Sequence, residues 1–383
     1  ESEEIMSEKN KILELLEKGV ITAAEAKDLL EAVDYEIPKK KGMNFSFDVD
    51  KAKEGIQNMG RSVGEFVSST FSDLFDRDFR FRMKGDFNRF KRIYEKEIGE
   101  DEVYRLDIEN ENGFTKIARG DVEKLTVSTT VYYKNMLLDD SAQFFTIEEV
   151  DDLIRYRVAD GKKKDFYLEI EILLPEKMPA ELRLVTTNAP IFAKNLEIPK
   201  LTLWTANGRI EAKEITTDDA KFETANASIS LERIAGGSVH ALSSNGRIEA
   251  EELTLSDFGA RTSNGKIIAD KMTVERLSLA TTNGPVELTD LMTEKLDSVD
   301  LLSSNGKIDI MLGDLVRPIA FDFSTTGGNA QIDLAAEISA DMREGSSRVE
   351  KHVKGHTSAF PDESTFAQIV AKTTNADITL AED

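Results

Sequence analysis

The chain has 383 residues, with 72 acidic against 49 basic side chains, a formal net charge of −23 and no cysteine. So acidic a surface repels phosphate backbones and excludes nucleic acid as a partner, while the missing thiols exclude a disulfide framework and cysteine chemistry. The length allows two or more domains with a sizeable core, and no apolar run reaches the roughly 18 residues a membrane-spanning helix needs.

The opening ESEEIMSEKN is acidic and lacks the basic and apolar regions of a secretion signal. A cytoplasmic location, or one peripheral to the membrane, is the first expectation; a cysteine-free chain equally suits exposure on a Gram-positive cell surface. Residues 1–36 read as a helical hairpin. Ile12, Leu13, Leu15 and Leu16 line the first helix and Gly19 lies just past its end. Thr22 with Glu25 forms a capping box before Ala26, Leu29, Leu30 and Val33. Two helices this short bury too little to stand alone, so the hairpin docks on a second copy, on another protein or on the rest of the chain.

Residues 37–100 read as an amphipathic, Phe-rich, basic helical segment. Nine of the 20 phenylalanines lie between Phe45 and Phe90, and Ile56, Met59, Val63, Phe66, Val67, Phe71, Leu74 and Phe75 share one helical face. From Arg77 to Lys96, eight basic residues stand against three acidic ones, a local +5 in an acidic chain. Phe66, Phe71 and Phe75 with Arg80, Arg82 and Lys84 are the candidate contact for an anionic membrane or a regulator protein, rings entering the acyl boundary and cations meeting lipid heads. A helix capping an open β-repeat end carries the same pattern. Residues 101–185 alternate in longer strands, LTVSTTVYY and DFYLEIEILLP being the clearest, and read as the atypical first part of the β domain and its cap.

From 186 to 383 one phrase recurs. Asn188, Asn207, Asn226, Asn245, Asn264 and Asn283 are spaced by 19 residues, and Asn305, Asn329 and Asn375 follow at intervals of 22, 24 and 46. A fixed period marks a repeat architecture, with insertions falling in loops. Three and five residues after each Asn stand apolar residues, such as Ile248 and Ala250, and further ones follow at offsets 8, 13 and 15. The reading is a mainly β fold, a parallel β-solenoid-like stack of ~19-residue coils, with an α-helical region at the amino end. Asn188, Asn207, Asn226, Asn245, Asn264, Asn283 and Asn305 are expected to stack as an amide ladder. The Asn is expected to take the left-handed conformation, with the Gly or Ala after it kept small for neighbouring coils.

Arg209, Arg247, Lys266 and Lys307 beside Glu211, Glu249, Glu287 and Asp309 alternate in sign and read as a self-neutralising surface ladder. His352 and His356 have a metal-like spacing, but Gly355 and the flanking sequence point to a loop. No phosphate loop, nucleophile elbow or zinc motif appears, so the expectation is a non-enzyme with no catalytic residue, metal or cofactor.

The [S/T]xN[G/A]xI coils from 186 to 380 resemble the bacterial putative-adhesin β-strand-repeat domain. ILELLEKGVITAAEAKDLLEAV is similar to the short helical hairpin that precedes this domain in YvlB-like and LiaX-like proteins of Gram-positive bacteria. The resemblance implies a non-enzymatic accessory role in the cell-envelope stress response, linked to antimicrobial peptides. The alternatives are an extracellular binding module for cationic peptides or glycans and, last, a polysaccharide-active enzyme.

Overall fold

The computed structural model describes residues 88–133, 144–158, 166–344, 349–358 and 365–382. These belong to one compact unit of the chain, 70–135 with 144–383. The helical hairpin of 1–36, and Phe66, Phe71, Phe75, Arg80, Arg82 and Lys84, lie outside the described residues.

The described structure is mainly β. Its strands are, in chain order, β1 (Asn88–Glu97), β2 (Arg105–Asn110), β3 (Gly113–Arg119), β4 (Lys124–Tyr133), β5 (Phe145–Val150), β6 (Leu153–Val158), β7 (Phe166–Leu174), β8 (Glu181–Thr186), β9 (Ile191–Glu197) and β10 (Lys200–Thr205). Four long strands follow, β11 (Ile210–Thr224), β12 (Ile229–Ser243), β13 (Ile248–Arg261) and β14 (Ile267–Ala280). The last nine are β15 (Val286–Leu291), β16 (Ser298–Leu302), β17 (Ile308–Leu312), β18 (Ile319–Thr325), β19 (Ala330–Asp333), β20 (Glu337–Glu344), β21 (Val349–His356), β22 (Ala367–Thr373) and β23 (Ile378–Glu382).

Each coil sends one stretch of strand to a first face, after its Asn, and one to a second face, before the next Asn. On the first face β7, β3, β9, β11, β12, β13, β14, β15, β17, β23 and β19 pair in parallel in that order. On the second the order is β6, β2, β8, β10, β11, β12, β13, β14, β16, β22, β18. The register places Ile210, Ile229, Ile248, Ile267 and Val286 side by side, all fully buried. Inward columns such as Phe222, Val239 and Phe258 fill the space between the faces. The period of two along each strand and of 19 between strands thus builds one continuous core.

Antiparallel strands close both ends. β1 and β4 extend the first face beyond β7, β5 pairs with β6, and β21 and β20 extend the second face beyond β18. Asn88–Glu97 therefore forms a strand, where the sequence reading has the end of a helical segment; its ten residues pair antiparallel with β4, which offers them a backbone partner that the sequence pattern does not reveal. Likewise Val349–His356 is a strand and not a loop.

The left-handed residues are not the repeat asparagines. Asn195, Glu214, Arg233, Glu252, Lys271 and Asp290 have φ between 51° and 58°, and they stand 19 apart, seven residues after each Asn. This column turns the chain between the first face and a short third side, carrying buried residues such as Leu253 and Leu255. The Asn turn needs no positive φ because a hydroxyl two residues earlier closes it, as described below.

Two further departures lie near the carboxyl end. In space the coil of Asn375 follows that of Asn305, because β22 inserts between β16 and β18 and β23 between β17 and β19. Asn329 is also displaced from the repeat. Thr325 aligns with Thr373 and Ala330 with Ile378, so Gly327 takes the place of Asn375 in the outermost coil, and Ala330 the place assigned to Ile332. The phrase TTGGNA keeps the small residues of the turn and shifts its Asn by two.

Candidate binding surfaces

The asparagine edge is the most regular surface. Asn207 donates from Nδ2 to Oδ1 of Asn188 at 2.7 Å, and the bond repeats from Asn226 to Asn207, Asn245 to Asn226, Asn264 to Asn245, Asn283 to Asn264, Asn305 to Asn283 and Asn375 to Asn305. At the other end Asn188 donates to Asn112 at 2.8 Å, so the ladder begins one coil before the regular repeat. The asparagines from 188 to 375 are exposed, and each interior amide spends one donor and one acceptor on its neighbours.

Beneath this edge runs a second ladder. The Thr205 hydroxyl accepts from Gly208 N–H at 3.0 Å and donates to the Ala189 carbonyl at 3.2 Å. Ser243, Thr262, Thr281, Ser303 and Thr325 make the same pair of bonds, for example Gly265 N–H to Thr262 at 3.2 Å and Thr262 to the Gly246 carbonyl at 3.0 Å. These hydroxyls are buried, Thr262 at 2% exposure. The glycines after the asparagines sit against the neighbouring coil: a Cβ on Gly265 would stand 1.9 Å from the Gly246 carbonyl oxygen. Both ladders satisfy themselves internally and leave few groups for a partner.

The outer side of the first face is likewise self-contained. Arg209 pairs with Glu211 at 2.9 Å, Arg247 with Glu249 at 2.8 Å, and Lys266 with Glu287 and Lys307 with Asp309. At the left-handed corner Lys213 pairs with Glu232 at 2.7 Å, Arg233 with Glu214 at 2.8 Å and Lys271 with Glu252 at 3.2 Å.

The outer side of the second face differs in chemistry. Asp107 on β2 stands in register between Arg155 on β6 and Arg183 on β8; it accepts from Arg183 Nη1 at 2.7 Å and from Arg157. Burial pushes this carboxyl up, but the hydrogen bonds from Arg157 and Arg183 and their charges outweigh it and hold Asp107 below the usual carboxylate range. Two strands further on, β10 presents Trp204, the only tryptophan in the chain, half-buried and flanked in register by Val185 and Glu223. Among the described residues its indole N–H makes no hydrogen bond. At the far end His352 pairs with Asp322, which also binds Lys354 at 2.8 Å, and His356 lies 3.7 Å from Glu337.

A shallow hollow of about 900 Å³ opens near Arg119, Asp121, Glu123, Glu176 and Lys177. It lies where β3 and β7 end without the third side that the later coils possess. Among the described residues no cluster of three or more His, Asp or Glu is placed to hold a metal ion, and no helix is long and apolar enough to cross a membrane.

Parallel coils, two internal ladders and outward sheet faces define a β-repeat protein. The chain belongs to the Toastrack DUF4097 family, whose profile matches residues 103–381; a SHOCT-like domain profile matches residues 7–34. No curated protein matches the sequence. Among solved structures, the chain is similar to a putative cell adhesion protein of Clostridium sporogenes (10% identity, 77% of this chain and 100% of that one, TM-score 0.20). It is also similar to a putative adhesin of Bacteroides fragilis (10%, 76% and 97%, TM-score 0.37) and a putative lipid binding protein of Parabacteroides distasonis (12%, 76% and 96%, TM-score 0.34). Likeness this low assigns no ligand to this chain.

Proposed function

We propose that the protein is a non-enzymatic, adhesin-like binding module that holds an extended envelope ligand on the outer side of its second face. One observation carries this reading. The amide ladder, the hydroxyl ladder and the first-face ion pairs consume their own polar groups, whereas the second face exposes an aromatic ring with an open donor on a broad parallel sheet. Such a surface suits a long partner that lies across several strands. Full-length protein mixed with isolated Gram-positive envelopes should co-sediment with them saturably, and protein left entirely in the supernatant at micromolar concentration overturns the module.

The amino-terminal region favours a second, compatible reading, an accessory role in the envelope stress response of the YvlB-like or LiaX-like kind. The SHOCT-like match at 7–34 and the basic residues Arg77, Arg80, Arg82 and Lys84, which precede β1, support it. In this reading Phe66, Phe71, Phe75, Arg80, Arg82 and Lys84 meet an anionic membrane or a regulator. Full-length protein should then bind vesicles of anionic lipid and not neutral ones, with salt weakening the attraction over a Debye length of about 8 to 10 Å. Phe66→Ser with Phe71→Ser should remove the binding that salt leaves. Equal binding of the double variant sinks the membrane contact.

A further inference from the structure

We infer that Trp204 anchors a binding platform for a neutral glycan on the outer side of β8, β10 and β11; the inference rests on the binding-module reading and names its ligand class. Three observations meet at this ring. It projects outward from a sheet of parallel strands in unbroken register, Val185 and Glu223 beside it and Thr202 two residues back on the same side. Its indole N–H, on a half-buried side chain, makes no hydrogen bond among the described residues and so is open to donate to a ligand. Each cation around it already holds a carboxylate: Lys200 pairs with Glu181 at 2.8 Å, Lys221 with Glu223 at 2.6 Å and Arg183 with Asp107 at 2.7 Å.

The third observation selects the ligand. An anionic polymer would have to break these pairs to gain a counter-charge. The exposed Asp219 stands opposite Lys200, four residues from Trp204 along β10, but beside the ring the patch offers a charged ligand of either sign neither a spare counter-charge nor a one-sign field to steer it. A neutral sugar needs neither. Its C–H face stacks on the apolar indole, and its hydroxyls accept from the indole N–H and exchange hydrogen bonds with Thr202 and with the outward atoms of Lys221 and Glu223. Stacked strands about 4.8 Å apart repeat the outward rows, so a linear glycan can cross several coils while one ring sits on Trp204.

Because Trp204 is the only tryptophan, its emission reports this site alone. Full-length protein is titrated with the soluble tetramers of β-1,4-linked N-acetylglucosamine and of glucose, and with a cationic amphipathic peptide. The expected result is a saturable change in emission with at least one tetramer, unchanged between about 0.05 and 0.5 M salt, and none with the peptide. Calorimetry with Trp204→Ala should give affinity at least about tenfold weaker, with Trp204→Phe intermediate and the melting temperature of both near that of the parent. A silent indole with both tetramers, a response to the peptide alone, or Trp204→Ala binding as tightly as the parent overturns the platform. Envelope co-sedimentation separates the two levels: envelope binding that survives Trp204→Ala ends the platform and leaves the module, whereas no envelope binding by the parent ends the module itself.

Discussion

At position 262 a threonine hydroxyl does two jobs that no other group in the coil can take over. It receives the Gly265 N–H and gives its own proton to the Gly246 carbonyl of the coil before. Replacing it by the isosteric valine leaves a buried donor and a buried acceptor unpaired, so Thr262→Val should cost about 1 to 3 kcal/mol in a denaturant titration. Asn245 makes as many ladder bonds, to Asn226 and from Asn264, but it is exposed and water replaces what is lost. Asn245→Ala should cost only about 0.5 to 1.5 kcal/mol. If the asparagine variant is the less stable of the two, the hydroxyl column is not the stronger lock. Asp107 adds a pH-dependent residue. Its carboxyl is held below its usual value of 3.8, so its contribution is present above that pH and fades as pH falls through the lower, folded-state value. Asp107→Asn should therefore melt below the parent at pH 7, and the gap should narrow toward pH 3 and below. A gap that stays constant with pH removes the ion pairs as its cause.

Within a coil, burial and backbone conformation set the tolerance of each site. Ile248 is fully buried between Ile229 and Ile267, and Ile248→Asp should cost more than about 4 kcal/mol because an unpaired carboxylate cannot escape the stack. Arg247 next to it points outward to Glu249, and Arg247→Ala should stay within about 0.5 kcal/mol in the same thermal melts. At the left-handed corner Glu252 has φ of 58°, a region that side chains with a Cβ enter at a cost and glycine enters freely. Glu252→Gly should hold or raise the melting temperature, the gain being up to about 1 kcal/mol less the weak pairing to Lys271. A drop of several degrees would mean that the pairing outweighs the backbone strain.

The same contrast explains what the sequence reveals. The period of 19 and the inward offsets are legible because burial writes apolar residues at fixed places. The serine or threonine two before each Asn is visible as a pattern, but its partner belongs to the coil below, a relation that linear spacing does not display. The corner column is hidden because glutamate, arginine and lysine carry no mark of a left-handed backbone. Trp204 escapes notice for a related reason: a lone outward ring breaks no period, and only its open N–H and the paired charges around it set it apart.

For the whole unit, the order of coils decides how stability is shared. β22 and β23 are held on both sides, with Ile369, Ile378 and Leu380 fully buried. Removing residues 365–383 takes away burial that stabilises by roughly 1.5 to 3 kcal/mol for each of these three side chains, so the shortened chain should melt far below the parent. Adding the peptide of 365–383 in trans should restore part of the loss, since the slot is lined by open strand edges. A truncated chain with parental stability contradicts the inserted position.

That insertion also has a consequence for synthesis. β18 leaves the ribosome 42 residues before β22, a delay of about 2 to 8 s at 5 to 20 residues per second. Throughout it the edge of β16 stands bare, and β18 is the nearest strand able to occupy it, in a mispaired stack that β22 must later prevent or displace. Translation pace through the stretch after β18 thus becomes a determinant of yield, and a chain interrupted there is left with an adhesive edge rather than a shorter but finished protein.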